Sequence, residues 1–196
     1  MKTTKYYFLP FLDHVIAVLI SLLFTVFFGS WFTNKIFGTI VGLAMTLVFC
    51  GLIYVRLWKL SRQNTRYGYG LKRDAGVKFV LPLALFSLLL TFFYVLAKHG
   101  IIPLNEIVLK TYYTFPDNLP RAKVLITSFD YLGVGVRLWF SSFLGFTTKM
   151  PVWLMCLSPV LAVLSAHVGF RFGAEHKTIL DGALKASDKV KEKFNE

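Results

Sequence analysis

Acidic residues and reactive side-chain patterns are scarce in this chain. Only ten of its 196 residues are Asp or Glu, and five of these ten lie in the last 22 positions. The four histidines have no zinc-ligand spacing, no serine lies in a GxSxG motif, and no glycine pattern has the spacing of a Rossmann or Walker loop. We therefore expect a protein that is not an enzyme and that carries no metal or cofactor.

Cysteine is almost absent as well. The two cysteines, Cys50 and Cys156, are too few for a disulfide framework. We expect both to serve as apolar side chains rather than as a bonded pair, since they fall in different apolar runs at different predicted depths.

Long apolar runs dominate the sequence instead. The chain is 56% hydrophobic with a mean hydropathy of +0.60, and a helix needs about 20 apolar residues to cross a hydrocarbon core of about 30 Å. Four runs meet that length: 9–28, 36–55, 79–97 and 151–170. The sequence therefore predicts an all-α integral membrane protein, with four transmembrane helices in a small bundle that forms one membrane domain over residues 1–173.

The connection 56–78, "RLWKLSRQNTRYGYGLKRDAGVK", carries seven Lys or Arg. If both termini are cytoplasmic, 15 of the 22 basic residues lie on the cytoplasmic side, as the positive-inside rule requires. We thus predict an N-in/C-in protein of a bacterial plasma membrane, with the net charge of +12 at membrane boundaries and no nucleic-acid binding. The charges are expected to rest against anionic headgroups, or else to dock an acidic partner, a phosphorylated ligand or a specific lipid. The candidates are Arg56, Lys59, Arg62, Arg66, Lys72 and Arg73.

The connection 98–150 is too long for a simple turn. Its middle, "TFPDNLPRAK", predicts a turn between two ordered pieces. We predict that 124–146 is a helix in the outer membrane interface or a re-entrant helix, because Asp130 and Arg137 disfavour a fifth span. These two residues are seven apart, share a helix face and can reach a common polar partner, which makes this loop a candidate binding surface.

Ionisable residues inside predicted spans are the default functional candidates. Asp13 and His14 lie near the cytoplasmic end of the first span, and His167 and Arg171 lie at i and i+4 near the cytoplasmic end of the fourth. We expect Asp13 to pair with Arg171 or His167. The cluster is either a structural ion pair or a proton-accepting or ligand site.

Small residues four apart mark helix faces that can pack closely in lipid. The second span contains a GxxxG pair, Gly38 and Gly42, and the fourth contains Ala162, Ala166 and Gly169. Such faces either close the bundle of this chain or contact another subunit.

The expected function is that of a non-catalytic integral membrane subunit or accessory protein, which associates with another membrane protein or its own copy through these small-residue faces. The tail, 174–196, is expected to form a cytoplasmic amphipathic helix that rests on the membrane or docks a partner. A small oligomeric transporter or channel is the first alternative. A membrane-embedded, lipid-active enzyme with His14 or His167 as its base is the second.

Overall fold

The computed structural model describes residues 4–28, 35–72, 74–114, 122–146 and 152–175. Most of these residues are helical, and four helices are long and apolar enough to cross a membrane. This finding agrees with the predicted class of a helical membrane protein with four spans. The long helices are α1 (Thr4–Phe28), α2 (Lys35–Tyr67), α3 (Ala75–Lys98) and α5 (Val152–Ala174), and the shorter helix α4 covers Ser128–Trp139.

Helix α2 differs most from its predicted bounds. It has 33 residues and is therefore about 50 Å long, well beyond a hydrocarbon core of about 30 Å. Its last turns continue through most of the basic stretch that we predicted to be a connection. The reason is that Leu57, Leu60 and Ser61 are buried on one side of this extension, so packing continues the helix past the end of the apolar run.

The predicted outer connection contains a β-hairpin that was not predicted from the sequence. Strand β1 (Val108–Thr114) pairs antiparallel with β2 (Ala122–Thr127), with Val108 opposite Thr127 and Thr114 opposite Ala122. The predicted helix over 124–146 therefore begins later, at α4, and ends in a 3₁₀ helix, Ser141–Phe146. Most of the predicted turn "TFPDNLPRAK" and nearly all of the predicted tail helix lie outside the described residues.

The chain divides into two compact units, and each long helix contributes to both. The first unit consists of Met1–Ala17, Thr46–Ala84 and Pro159–Glu196, and the second of Val18–Met45 and Leu85–Ser158. Each unit buries large apolar side chains. In the first these include Phe49, Ile53, Val80, Leu83 and Phe170, and in the second Val136, Phe140, Phe143, Leu154 and Met155.

Close helix packing in the first unit depends on glycines. A Cβ at Gly169 of α5 would lie 2.6 Å from the carbonyl oxygen of Tyr54 in α2, and one at Gly76 of α3 would lie 2.5 Å from the Cβ of Phe170. These distances are shorter than any ordinary contact, so only glycine allows the helices to approach as they do.

Candidate functional site

A partly buried ion pair in the first unit joins α1 to α2. The Nη2 group of Arg56 donates to Asp13 Oδ1 at 2.6 Å, and Nε lies 3.1 Å from both carboxylate oxygens. Asp13 is only 2% exposed, whereas the Arg56 side chain is 36% exposed. The carboxylate therefore holds the guanidinium in a fixed orientation at the edge of the protein.

This pair corrects the partner that we predicted for Asp13. Arg171 instead lies 3.6 Å from Glu175, its neighbour one turn along the chain, and His167 is exposed. The physical reason is the extension of α2, which places Arg56 on a helix wall beside Asp13 rather than in a loop. In place of the predicted pairing, the structure joins Asp13 to Arg56.

His14 lies next to Asp13 in sequence and is also buried, with 1% of its surface exposed. Its ring meets that of Phe49 edge to face, with centroids 5.5 Å apart. This edge-to-face contact packs the imidazole into the apolar interior of the first unit.

A groove of about 480 Å³ lies beside the ion pair. Its wall is apolar at one end, where Val48 and Leu52 lie, and charged at the other end, where Arg56 and Lys59 lie. No atom lies within 4 Å of the position that a Cβ at Gly51 would take, so the groove is open at this residue. The lining residues are Asp13, Val48, Gly51, Leu52, Val55, Arg56 and Lys59.

The other predicted anion contacts continue along the end of α2. Arg62 lies over the ring of Trp58, 5.2 Å from its centroid, and Arg66 lies over that of Tyr67 at 5.4 Å. These contacts hold both guanidinium groups against aromatic rings, while both arginines remain exposed. Lys72 is exposed in the connection that follows, and Arg73 lies outside the described residues.

The connection after α2 is short and tied to the helix. Asn64 accepts a hydrogen bond from the Leu71 amide at 2.9 Å and donates one to the Leu71 carbonyl at 3.0 Å. Gly68 has a φ of 63° and donates to the carbonyl of Asn64, the usual way for a helix to end on a left-handed glycine. Beyond it, an ion pair with Lys78 at 3.0 Å contributes to lowering the pKa of Asp74.

The predicted small-residue faces pack within this chain. In the first unit Ala162, Ala166 and Gly169 are buried, the last directly against Tyr54. Gly38 and Gly42 are buried in the second unit. These contacts are within the chain, and the predicted contact of the faces with another subunit stays a prediction.

Helix α4 begins at a capping box rather than at a polar pair. The Thr127 hydroxyl accepts a hydrogen bond from the Asp130 amide, and the Asp130 carboxylate accepts one from the Thr127 amide at 2.7 Å. The hydrogen bonds that the Thr127 amide and hydroxyl donate to this carboxylate lower the pKa of Asp130. The partner that we expected Asp130 to share with Arg137 is therefore replaced by Thr127, and Arg137 is exposed two turns further on.

One face of α4 is fixed to the rest of the second unit. The indole nitrogen of Trp139 donates to the Ser87 hydroxyl of α3 at 3.0 Å, and the rings of Tyr94 and Phe129 stack with centroids 5.6 Å apart. Just beyond α4, the carbonyl of Ser141 accepts a hydrogen bond from Ser21 at 2.8 Å. These contacts fix the position of α4 within the second unit.

The opposite face of α4 is apolar and open. Tyr131, Val134 and Leu138 follow an i, i+3, i+7 spacing and are 55%, 55% and 43% exposed. The sequence does not distinguish this open stripe from the packed face, because the apolar residues of both have helical spacing.

Comparison of this chain with known protein families, with curated proteins and with solved structures finds no match. Within the part of the chain that the structure describes, no three His, Cys, Asp or Glu side chains are grouped as metal ligands. Both cysteines are free, Cys50 partly buried and Cys156 exposed.

Proposed function

We propose that this chain is a non-catalytic integral membrane subunit or accessory protein of the plasma membrane that docks on a membrane-protein partner through the open stripe of α4. The observation that carries this proposal is that α4 is apolar on two opposite faces. A helix that covers a bundle and faces water is expected to be polar on its outer face, so the open stripe faces either a protein or lipid headgroups.

The packed face of α4 is held by an apolar core of its own. Val136 and Phe140 form a core with Met155 of α5, and Leu90 and Tyr94 of α3 pack against that core. The open stripe adds nothing to this contact. Its exposed aromatic and aliphatic residues, with Asp130 and Arg137 beside them, instead resemble the apolar centre and polar rim of a protein interface.

The charge distribution supports an orientation for this surface. With the basic end of α2 at the cytoplasmic side, both termini are cytoplasmic and the hairpin with α4 lies on the outer side. The partner then contacts the outer face through α4. The small-residue faces, which pack internally, are not needed for this contact.

The transporter alternative is less well supported. A transport pathway needs polar side chains, and Asp13 and Asp130 are its candidates. However, Arg56 and Thr127 already bond these two carboxylates. A carboxylate that is already bonded within the fold binds a transported ion poorly. This favours the subunit role.

Affinity purification from native membranes in mild detergent tests the proposal. The test variant carries Val134→Glu and Leu138→Glu, which add charge to the open stripe without removing a buried contact. Ile101→Glu, at an exposed site after α3, is the matched control. We expect a partner, or a second and differently tagged copy, to be recovered stoichiometrically with the wild type and the control and to be lost with the test variant.

Two results would overturn the proposal. One is the recovery of no stoichiometric partner from crosslinked native membranes, in which case the stripe rests on lipid headgroups. The other is a partner that remains bound when both glutamates are present, because the contact would then lie elsewhere.

A further inference from the structure

We infer that the groove beside Asp13 binds one anionic phospholipid, with its phosphate at Arg56 and Lys59 and an acyl chain along the apolar face of α2. This site is independent of the proposed partner and lies wholly within the first unit.

The charged end of the groove has one more positive charge than negative charge. Its lining contains Arg56 and Lys59 against one acid, Asp13. Asp13 engages Nε and Nη2 of Arg56, and a guanidinium has five N–H donors, so three N–H groups are not used by this pair. Arg56 is over a third exposed and Lys59 is exposed.

Asp13 also orients the guanidinium of Arg56 for phosphate binding. A guanidinium recognises phosphate best when its planar fork is already oriented, since less side-chain freedom is then lost on binding. The buried carboxylate fixes that plane through contacts of 2.6 to 3.1 Å. Lys59, three residues further along the same helix face, adds a second positive charge at the same end.

The other end of the groove suits an acyl chain. Val48, Leu52 and Val55 follow at i, i+4 and i+7 on α2, which gives an apolar wall about 10 Å long at 1.5 Å of rise per residue. Gly51 lies among them, and the space where its side chain would be is open. A chain can therefore lie directly against the helix backbone at this point.

The combination of these two ends favours a phospholipid over a free anion. A free phosphate would use the cations and leave the apolar wall uncovered. A neutral lipid would cover the wall and leave the spare positive charge without a partner. An anionic phospholipid satisfies both, and the apolar wall belongs to a helix that is long enough to cross the membrane.

Two substitutions test the acyl-chain end and the headgroup end of the site separately. Gly51→Leu fills the open groove without meeting any atom within 4 Å of its Cβ, and Lys59→Gln removes a headgroup charge while leaving the pair of Asp13 and Arg56 intact. Gly135→Leu is the matched control, because Gly135 is also helical and has no neighbours within 4 Å of its Cβ position.

Native mass spectrometry of the purified full chain in neutral detergent measures the binding. The probes are phosphatidylglycerol, phosphatidylcholine and glycerol 3-phosphate, the last being an anionic headgroup without chains. We expect one phosphatidylglycerol to be retained in preference to phosphatidylcholine, and glycerol 3-phosphate not to be retained. Lys59→Gln should weaken retention about fivefold, which corresponds to about 1 kcal/mol. Gly51→Leu should reduce it to the level of phosphatidylcholine, and Gly135→Leu should have no effect.

Three results would overturn the inference. Equal retention of the two phospholipids would show that no anionic group is recognised. Retention of glycerol 3-phosphate that is unaffected by Gly51→Leu would indicate a site for a free anion. Unchanged phosphatidylglycerol retention in both test variants, each of which must remain monodisperse with wild-type helicity, would place the lipid elsewhere on the protein.

Discussion

Removal of either partner of the Asp13–Arg56 pair should destabilise the protein, but not equally. Arg56→Gln leaves a carboxylate that is 2% exposed without its cation. The loss of one partner from a fully buried pair costs about 3–5 kcal/mol. Because Arg56 itself is 36% exposed, solvent screens part of the attraction, and we expect a loss of about 2–4 kcal/mol in the free energy of unfolding.

Asp13→Asn should cost less. The amide has nearly the same shape and still accepts a hydrogen bond, and the remaining cation can reach water or headgroups. We expect a loss of about 1–2 kcal/mol. In the double variant both charges are gone, so its cost should fall below the sum of the single costs by about 1–3 kcal/mol, the usual coupling of residues in contact.

The assay is reversible unfolding in mixed micelles, with helicity followed as the fraction of denaturing detergent rises. Equal costs for the two single variants would contradict the difference in burial on which the reasoning depends. Additive costs in the double variant would show that the two side chains do not interact.

Two further predictions concern the glycines and the start of α4. Gly169→Ala should lower the free energy of unfolding by about 1–3 kcal/mol through overpacking, because its Cβ would lie 2.6 Å from the Tyr54 oxygen. Gly51→Ala, with open space around it, should instead raise stability by about 0.5–1 kcal/mol, and the same micelle titration measures both. Bonds from Thr127 lower the pKa of Asp130, so the capping box stabilises α4 above the ordinary carboxylate range and is lost as pH falls below about 4. The protection of the amides in the first turn of α4, measured by hydrogen exchange relative to the intrinsic rate at each pH, should therefore fall in acid.

Controls make each of these predictions specific. Equal effects of the two glycine substitutions would contradict the close contact of α5 with α2. For the capping box, Asp130→Ala should remove the additional pH dependence of exchange in α4. Persistence of that dependence in the variant would show that another group is responsible.

The four spans were predictable because length and hydropathy are local properties of the sequence. The true end of α2 was not predicted, because Arg56 and the cations after it were interpreted as a connection between spans. A signal was nevertheless present: no glycine or proline occurs between Gly51 and Gly68, so nothing in that segment stops a helix. The partner of Asp13 was missed as a direct result.

The hairpin and the start of α4 illustrate a different limit. β1 and β2 are rich in β-branched and aromatic residues and flank a turn sequence, but their pairing is a contact between segments and not a local property. The sequence TSFD, with threonine and aspartate three apart, is a capping-box pattern. It could have identified both the first residue of α4 and the partner of Asp130. Which face of α4 stays open depends on tertiary packing, and no pattern in the sequence indicates it.

Photo-crosslinking in native membranes tests the proposed docking surface most directly. A photoreactive amino acid is placed at Val134 on the open stripe of α4 and, in a separate control, at Leu89, an exposed residue of α3. The proposal predicts one discrete protein adduct from Val134 and none from Leu89. The absence of a protein adduct at Val134, or the same adducts from both positions, would contradict it.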